Sequence, residues 1–221
     1  MQTHAALCRH LSGRGVSGRL LEAIEATDRA LYVPEGTSPS RTYADAPVSL
    51  RSGQTTSQPT VIATMVGALA PKSGDRILEV GCGYGFQTAI LARLVAEVVS
   101  IEYREALVRE AKQRLEADGI GNAIVIHGDG TRPREAPDAG SLFDREFDGI
   151  VVSAAAAAFP EKLAELLGED RRMVVPLGPG GSEEVVVFEK KGGAMRRLTS
   201  LFPASFVPLV DNKSGVERDL S

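Results

Sequence analysis

Strand-like and helix-like segments alternate along the chain from residue 75 to residue 178. Helical spacing of apolar residues occurs at Phe86–Val95 and Glu105–Gly119, and a further helix is predicted at Pro160–Leu167. Short apolar runs typical of buried strands separate and flank these segments: Arg76–Gly81, Val98–Glu102, Ala123–Gly128, Phe147–Ala154 and Arg172–Gly178. Such alternation predicts a parallel sheet with right-handed crossovers, because each connection must return the chain to the same end of the sheet.

Both ends of the chain depart from this alternation. Residues 4–31 are predicted to be helical, whereas Tyr32–Pro59 shows little periodicity. An irregular segment of this length inside a compact domain is commonly functional or disordered. An amphipathic helix is predicted over Val61–Leu69, with Ser57 as its N-cap and Pro59 in its first turn. Glu184–Phe202 alternates around two glycines, which predicts an antiparallel hairpin.

These patterns predict one α/β domain that spans residues 1–221. Its core, residues 61–221, is expected to be a doubly wound, mostly parallel sheet with an antiparallel C-terminal edge. Residues 1–60 are expected to add an N-terminal helical extension and the irregular segment.

Composition and charge argue against several classes of protein. Apolar residues make up 43% of the chain and charged residues 24%, as in soluble globular proteins. The net charge of −4, without a basic block, argues against a nucleic-acid or membrane-surface binder. No apolar run reaches the roughly 18 residues of a membrane span, and the N-terminus lacks a secretory signal pattern. Two cysteines and three dispersed histidines give no zinc spacing, so a cytoplasmic protein without a metal is expected.

A glycine-rich turn follows the first predicted strand, in the stretch EVGCGYGFQTA. Gly81, Gly83 and Gly85 lie between the strand and the next helix, where glycine permits positive φ and close approach of a ligand. A tight strand–helix turn without a ligand is the alternative interpretation. The G-x-G-x-G spacing differs from the G-x-G-x-x-G of dinucleotide enzymes. It favours a ligand without a pyrophosphate, such as S-adenosylmethionine.

Acidic residues follow the next two strands. Glu102 ends the second strand, close to the place where doubly wound folds carry a carboxylate that binds ribose hydroxyls. Asp129 and Gly130 follow the third strand, where the carboxylate is placed to bind an adenine amino group and the glycine leaves room for the ring. An exposed charge and a simple turn are the alternatives. Taken together, the three strand ends predict a nucleoside-binding crevice.

At this point the sequence resembles the protein-L-isoaspartate O-methyltransferase family, from about Leu7 to Leu209. The resemblance rests on LLEAIEATDRALYVPE, YADAPVSLRSGQTTSQP, ILEVGCGYGFQTAILARL, GDGT, FDGIVVSAAA and FVPL. The glycine motif is common to many methyltransferases, whereas GQTTSQP, Gly53–Pro59, is far more specific. The resemblance implies a Rossmann-like class I methyltransferase fold and S-adenosyl-L-methionine as cofactor.

The resemblance also implies roles for individual residues. Ser57 aligns with the residue assigned as catalytic, and Phe206–Leu209 with a segment that helps to close over the substrate. The predicted cofactor-binding residues are Gln54, Thr55, Thr56, Ser57, Glu79, Gly81, Gly83, Glu102, Asp129 and Gly130. Isoaspartyl proteins and peptides are the implied partners, and we expect a monomer. The implied reaction methylates the isoaspartyl α-carboxylate and starts repair through a succinimide.

Several positions depart from the family pattern. Tyr84 replaces a small residue in the glycine turn, the alanine stretch Ser153–Pro160 is lengthened, and Val210 replaces a polar residue. Gly168–Arg172 and the long link Arg134–Asp148 also differ. Two alternatives therefore stay open: a carboxyl methyltransferase for another aspartyl substrate, and a cofactor-binding protein without activity. The alanine stretch has two interpretations, namely close approach of a ligand or backbone, and the start of a helix.

Overall fold

A seven-stranded sheet forms the centre of the described chain. The computed structural model describes residues 2–50, 53–178 and 182–210. Its strand order is β3-β2-β1-β4-β5-β6-β7. The strands are β1 Arg76–Val80, β2 Glu97–Glu102, β3 Ala123–His127, β4 Phe147–Val152, β5 Leu167–Leu177, β6 Glu183–Lys191 and β7 Ala194–Ala204. Strands β1 to β5 are parallel, and β6 and β7 add the predicted antiparallel hairpin.

Helices cover both faces of this sheet, as the doubly wound prediction requires. They are α1 His4–Gly13, α2 Gly18–Glu25, α3 Pro39–Thr42, α4 Pro59–Leu69, α5 Phe86–Ala92, α6 Glu105–Ala117 and α7 Glu161–Ala164, with 3₁₀ turns at Arg29–Tyr32 and Pro133–Glu135. One core cluster joins Leu7, Leu11 and Ile24 of the N-terminal helices to Val151 and Val174 of the sheet. A second cluster, which includes Phe143 and Leu163, covers the other face. Burial on both faces explains why the central strands read as continuous apolar runs.

The N-terminal extension is fastened to α6 by polar contacts. The Arg114 guanidinium donates to the carbonyls of Leu31 at 2.6 Å and Val33 at 3.1 Å. It also lies 4.2 Å from the centre of the Tyr84 ring. Tyr84 is buried with Leu50 and Leu107, so this departure from the family pattern fills the space between the glycine turn and α6.

Several of the predicted element boundaries are wrong, including the start of β5, which lies at Leu167 and not at Arg172. The helix predicted at Pro160–Leu167 has only four residues, because Leu167 already pairs with Phe147 at the start of β5. Ser57 is not the N-cap of α4. That position belongs to Gln58, whose side chain makes no capping bond, and Pro59 is the first helical residue.

Asp45 caps helix α4 from a position 15 residues before Thr60, in the first turn of the helix. Its carboxylate accepts hydrogen bonds from the Thr60 N–H at 2.8 Å, the Thr60 hydroxyl at 2.7 Å and the Gln58 amide at 3.0 Å. His10 of α1 lies 3.1 Å from the same carboxylate. The negative charge also lies at the positive end of the helix dipole. Asp45 therefore fixes where the irregular segment ends and the helix begins.

We expect Asp45→Asn to lower the free energy of unfolding by about 1 kcal/mol at pH 7. Burial alone would raise the pKa of Asp45, but the hydrogen bonds from Thr60, Gln58 and His10 outweigh it and hold the pKa below its usual range. The stabilisation that the Asp45 charge gives to the folded protein is therefore fully present above the pKa of Asp45 in the unfolded chain, about 4. It is lost as the pH falls through the lower pKa of the folded protein. Urea unfolding as a function of pH should therefore show the two proteins converging below about pH 4.

Asp138→Asn is the matched control for this comparison, because Asp138 is exposed in the link before β4. It should leave stability within about 0.5 kcal/mol of the unchanged protein at every pH. A difference between Asp45→Asn and the unchanged protein that stays constant down to pH 3 would contradict the proposed charge effect.

Candidate active site

A cavity lies at the C-terminal ends of the parallel strands, where such sheets bind ligands. We call it the strand-end cavity. The residues that follow β1, β2, β3 and β4 form its floor and walls, and two loop segments lie over it. Its lining consists of Gln54, Thr55, Val80, Gly81, Gly83, Ile101, Glu102, Tyr103, Arg104, Leu107, Gly130, Ser153, Ala154 and residues 207–210.

The glycines of the turn after β1 have the backbone conformation that the sequence predicts. Gly81, Gly83 and Gly85 have φ angles of 86°, 56° and 92°, in the region that L side chains rarely adopt. Gly81 and Gly83 line the cavity. Close packing requires a glycine at position 130, because the Cβ of any other residue would lie 2.4 Å from Val80 Cγ1.

Glu102 presents a fixed carboxylate to the cavity. It accepts the N–H of Gly83 at 3.1 Å and the N–H of Arg104 at 3.0 Å. Burial raises the pKa of Glu102, and these two N–H donors oppose that effect. A carboxylate held in this way is suited to accept hydrogen bonds from ribose hydroxyls. The residues present therefore fit an adenosyl cofactor.

Glu79 and Asp129 lie behind the cavity wall. The Glu79 carboxylate is fully buried and accepts hydrogen bonds from the Thr88 and Ser100 hydroxyls and the Gln87 amide. One oxygen of Asp129 accepts both the N–H and the hydroxyl of Thr131, at 2.8 and 2.7 Å. Both residues thus shape the turns on which the cavity is built. Their direct contact with a cofactor stays a prediction.

The segment Gln54–Thr56 folds back on Val48–Leu50 and reaches over the cavity. The Leu50 N–H donates to the Gln54 carbonyl at 2.7 Å, and the Thr56 N–H donates to the Val48 carbonyl at 2.8 Å. Residues 51 and 52 lie outside the described residues. Gln54 and Thr55 line the strand-end cavity, while the Thr56 side chain is buried, and contact of these residues with a cofactor stays a prediction.

Arg29 holds this segment in place, although it is not among the site residues predicted from the sequence. Its buried guanidinium donates to the carbonyls of Thr42, Ala44 and Ala46 and to the Thr56 hydroxyl. Burial lowers the pKa of Arg29 to about 10, so the side chain stays charged at pH 7. One sequence signal could have indicated this role, namely an arginine at the boundary between a helical and a long irregular segment. Backbone carbonyls in an irregular segment lack the hydrogen-bond donors of a helix or sheet, and an arginine can supply them.

A second space, which we call the hydroxyl groove, adjoins the strand-end cavity. It has a volume of about 420 Å³, and its described lining contains no charged side chain. Hydroxyl groups and apolar side chains form its walls, and Ser57 lies among them. The lining residues are Pro47, Thr55, Thr56, Ser57, Gln58, Thr60, Val61, Thr64, Ser153 and residues 202–207.

The alanine stretch after β4 allows close approach of another part of the backbone. The Ala155 N–H donates to the Val207 carbonyl, and the Leu209 N–H donates to the Ala155 carbonyl, both at 2.8 Å. This pairing holds residues 207–210 over the cavity and rules out the start of a helix at this stretch. Of the two interpretations left open by the sequence, close approach is correct.

No group of three or more His, Cys, Asp and Glu side chains in the described ranges is arranged to hold a metal ion. Within the same ranges, no helix combines the length and apolar character needed to cross a bilayer.

His127 binds the Tyr103 carbonyl at 2.9 Å.

The combination of a doubly wound sheet, a glycine turn, a carboxylate at the end of β2 and an adjoining uncharged groove defines an α/β methyltransferase that uses S-adenosylmethionine. Comparison with known proteins agrees. The family described as protein-L-isoaspartate(D-aspartate) O-methyltransferase (PCMT) matches residues 2–214. The chain therefore belongs to the protein-L-isoaspartate O-methyltransferase family.

Individual relatives cover nearly the whole chain. It is 39% identical to a protein-L-isoaspartate O-methyltransferase of Halorhodospira halophila over 218 residues, 96% of this chain and 93% of the relative. A solved structure of a protein-L-isoaspartate O-methyltransferase superposes with a TM-score of 0.83 at 25% identity, covering 95% of this chain and 67% of the other. A Plasmodium falciparum protein of the same description, in complex with S-adenosyl-L-homocysteine, gives a TM-score of 0.78 at 25% identity, covering 96% and 100%.

We expect Glu102→Ala to weaken the binding of S-adenosylhomocysteine by about tenfold or more, since it removes hydrogen bonds to a charged group. It also leaves the Gly83 and Arg104 N–H groups without their acceptor. Isothermal titration calorimetry measures the affinity. Glu105→Ala, an exposed glutamate three residues later that pairs with Arg109, is the matched control and should bind as the unchanged protein does. Equal affinities for all three proteins would count against the role of Glu102.

Proposed function

We propose that this chain transfers a methyl group from S-adenosylmethionine to the α-carboxylate of L-isoaspartyl residues in proteins and peptides. Family membership over residues 2–214 supports the reaction. The observation that carries the proposal is the contact between the two spaces. The uncharged hydroxyl groove and the strand-end cavity share Thr55, Ser153 and Val207, so a peptide and a cofactor would meet there.

The chemistry explains why the groove needs no general base. When bound, S-adenosylmethionine supplies a methyl group attached to a positively charged sulfur, which leaves as a neutral thioether. The substrate carboxylate is ionised at pH 7, because its ordinary pKa is about 4. It is therefore already a nucleophile, and no residue of this chain has to remove a proton.

What the chain must supply is orientation and exclusion of water. Holding two reacting groups in line contributes roughly 7–11 kcal/mol in favourable cases. Hydroxyl and N–H donors hold a carboxylate without neutralising it, whereas an arginine or lysine would stabilise the ground state more than the transition state. The uncharged lining of the groove suits this requirement. We assign to Ser57 the role of orienting the substrate carboxylate.

The departures from the family pattern in Gly168–Arg172 lie away from the site. These residues belong to the first part of β5, which pairs with the start of β4. The site lies at the C-terminal ends of the parallel strands, so these residues are at the opposite ends of the strands from the site. These five residues therefore give no structural reason to expect a changed substrate.

Two peptides that differ only in aspartyl or isoaspartyl linkage test this function. The protein is incubated with each peptide and methyl-labelled S-adenosylmethionine, and base-labile label is counted. We expect label on the isoaspartyl peptide alone. Label on the aspartyl peptide alone would point to another carboxyl substrate, and no label on either would overturn the proposal.

We expect Ser57→Ala to lower kcat for the isoaspartyl peptide by about tenfold or more, because a hydrogen bond to a charged group is lost. The Kd for S-adenosylhomocysteine should change less than about twofold, because Ser57 lines the hydroxyl groove and not the strand-end cavity. Ser12→Ala, an exposed serine on α1, is the matched control. Full activity of Ser57→Ala would remove Ser57 from the mechanism.

Four further properties complete the proposal. We infer a single domain, since the N-terminal helices share a core cluster with the sheet. A monomer is proposed, and isoaspartyl proteins are the proposed partners, without nucleic acid or membrane. The cytoplasm is the proposed compartment, supported by the absence of a disulfide framework in a chain with two cysteines.

A further inference from the structure

Ser153 lies at the point where three spaces meet. It follows β4 and lines the strand-end cavity, the hydroxyl groove and a small cleft between the glycine turn and residues 55–57. Thr55 is the other residue that all three spaces share. If the chain has the proposed function, the carboxylate nucleophile binds in the hydroxyl groove and the methyl donor binds in the strand-end cavity. The reacting atoms must therefore meet close to Ser153.

The backbone of Ser153 is held by the centre of the sheet. Its N–H donates to the Val80 carbonyl at 2.8 Å, which extends the pairing of β4 with β1. Its Cβ lies 3.7 Å from the place where a Cβ on Gly81 would be. The side chain is thus fixed beside the first glycine of the turn, on a rigid element rather than on a loop.

The hydrogen bonds of Ser153 give its hydroxyl a defined direction. Gln87 Nε2 donates to Ser153 Oγ at 3.0 Å and to Glu79 Oε1 at 2.9 Å, so both amide hydrogens are in use. Because Ser153 Oγ accepts from Gln87, its own proton must point elsewhere. In the described part of the chain, Gln87 is the one hydrogen-bond partner of this hydroxyl. Ser153 is therefore a donor available to a ligand.

We propose that Ser153 is a second substrate-binding hydroxyl, which donates a hydrogen bond to the isoaspartyl α-carboxylate together with Ser57. The inference rests on the proposed function and deepens it. A carboxylate has two oxygens, and while one attacks the methyl carbon the other has to be held. Two neutral donors on different elements fix its plane without quenching its charge. Gln87 and Glu79 are positioning residues, since they act on the substrate only through Ser153.

Steady-state kinetics of Ser153→Ala and Ser153→Thr test the proposal. For the isoaspartyl peptide, Ser153→Ala should lower kcat/KM about 10- to 100-fold, the cost of one hydrogen bond to a charged group. Ser153→Thr keeps the hydroxyl and should recover most of the loss. The Kd for S-adenosylhomocysteine should change far less than kcat/KM in both variants. Ser141→Ala, an exposed serine in the link before β4, is the matched control.

Two results would overturn the proposal: kcat/KM of Ser153→Ala equal to that of the unchanged protein, or a loss that appears in cofactor affinity instead. Activity of the unchanged protein on the isoaspartyl peptide tests the proposed function separately, because the role of Ser153 is judged only from the ratio of variant to unchanged protein.

A double variant with Ser57→Ala tests whether the two hydroxyls hold the same group. Residues that act on one group have non-additive effects, so the combined loss should differ from the product of the single losses by about threefold or more. Losses that simply multiply would mean that Ser153 holds something other than the carboxylate bound by Ser57.

Discussion

The rest of the site depends on the hydrogen bonds that the buried carboxylate of Glu79 accepts. It lies on β1 and accepts hydrogen bonds from Ser100 of β2 and from Gln87 and Thr88 of α5. Gln87 extends the network to Ser153 after β4. Burial raises the pKa of Glu79, and only a full set of donors makes a buried carboxylate tolerable. One charged group thereby sets the relative position of three strands and the helix that follows the glycine turn.

A second buried charge does the same for the irregular segment above the sheet. Arg29 binds the carbonyl groups of every second residue from position 42 to position 46 and the Thr56 hydroxyl, so a stretch with little secondary structure of its own becomes a fixed wall. Asp45 lies within that stretch and caps α4. The two residues together place Ser57 between a clamped loop and a helix start. A site without a general base still needs its residues to be held in fixed positions, because the chain contributes to catalysis by orienting the reacting groups.

The parts of this structure that could be predicted from sequence are those with local signals. Strand–helix alternation predicted the sheet, and the spacing of Gly81, Gly83 and Gly85 predicted the turn, because periodicity and glycine conformation act over a few residues. Leu167 was assigned to a helix because nothing local reveals its pairing with Phe147. Arg29, Asp45 and Ser153 were missed as site residues for a related reason. Their partners are backbone groups or side chains many positions away, and a carbonyl acceptor leaves no mark in the sequence.

The shared walls of the two spaces link what each of them binds. Thr55 and Val207 border both the strand-end cavity and the hydroxyl groove, and Ala155 holds residues 207–210 over the cavity. A peptide lying in the groove would therefore contact residues that a cofactor in the cavity also contacts. The methyl donor and its demethylated product would occupy the same cavity, so each would exclude the other. The rate of methyl transfer would then depend on the ratio of the two cofactor forms in the cell.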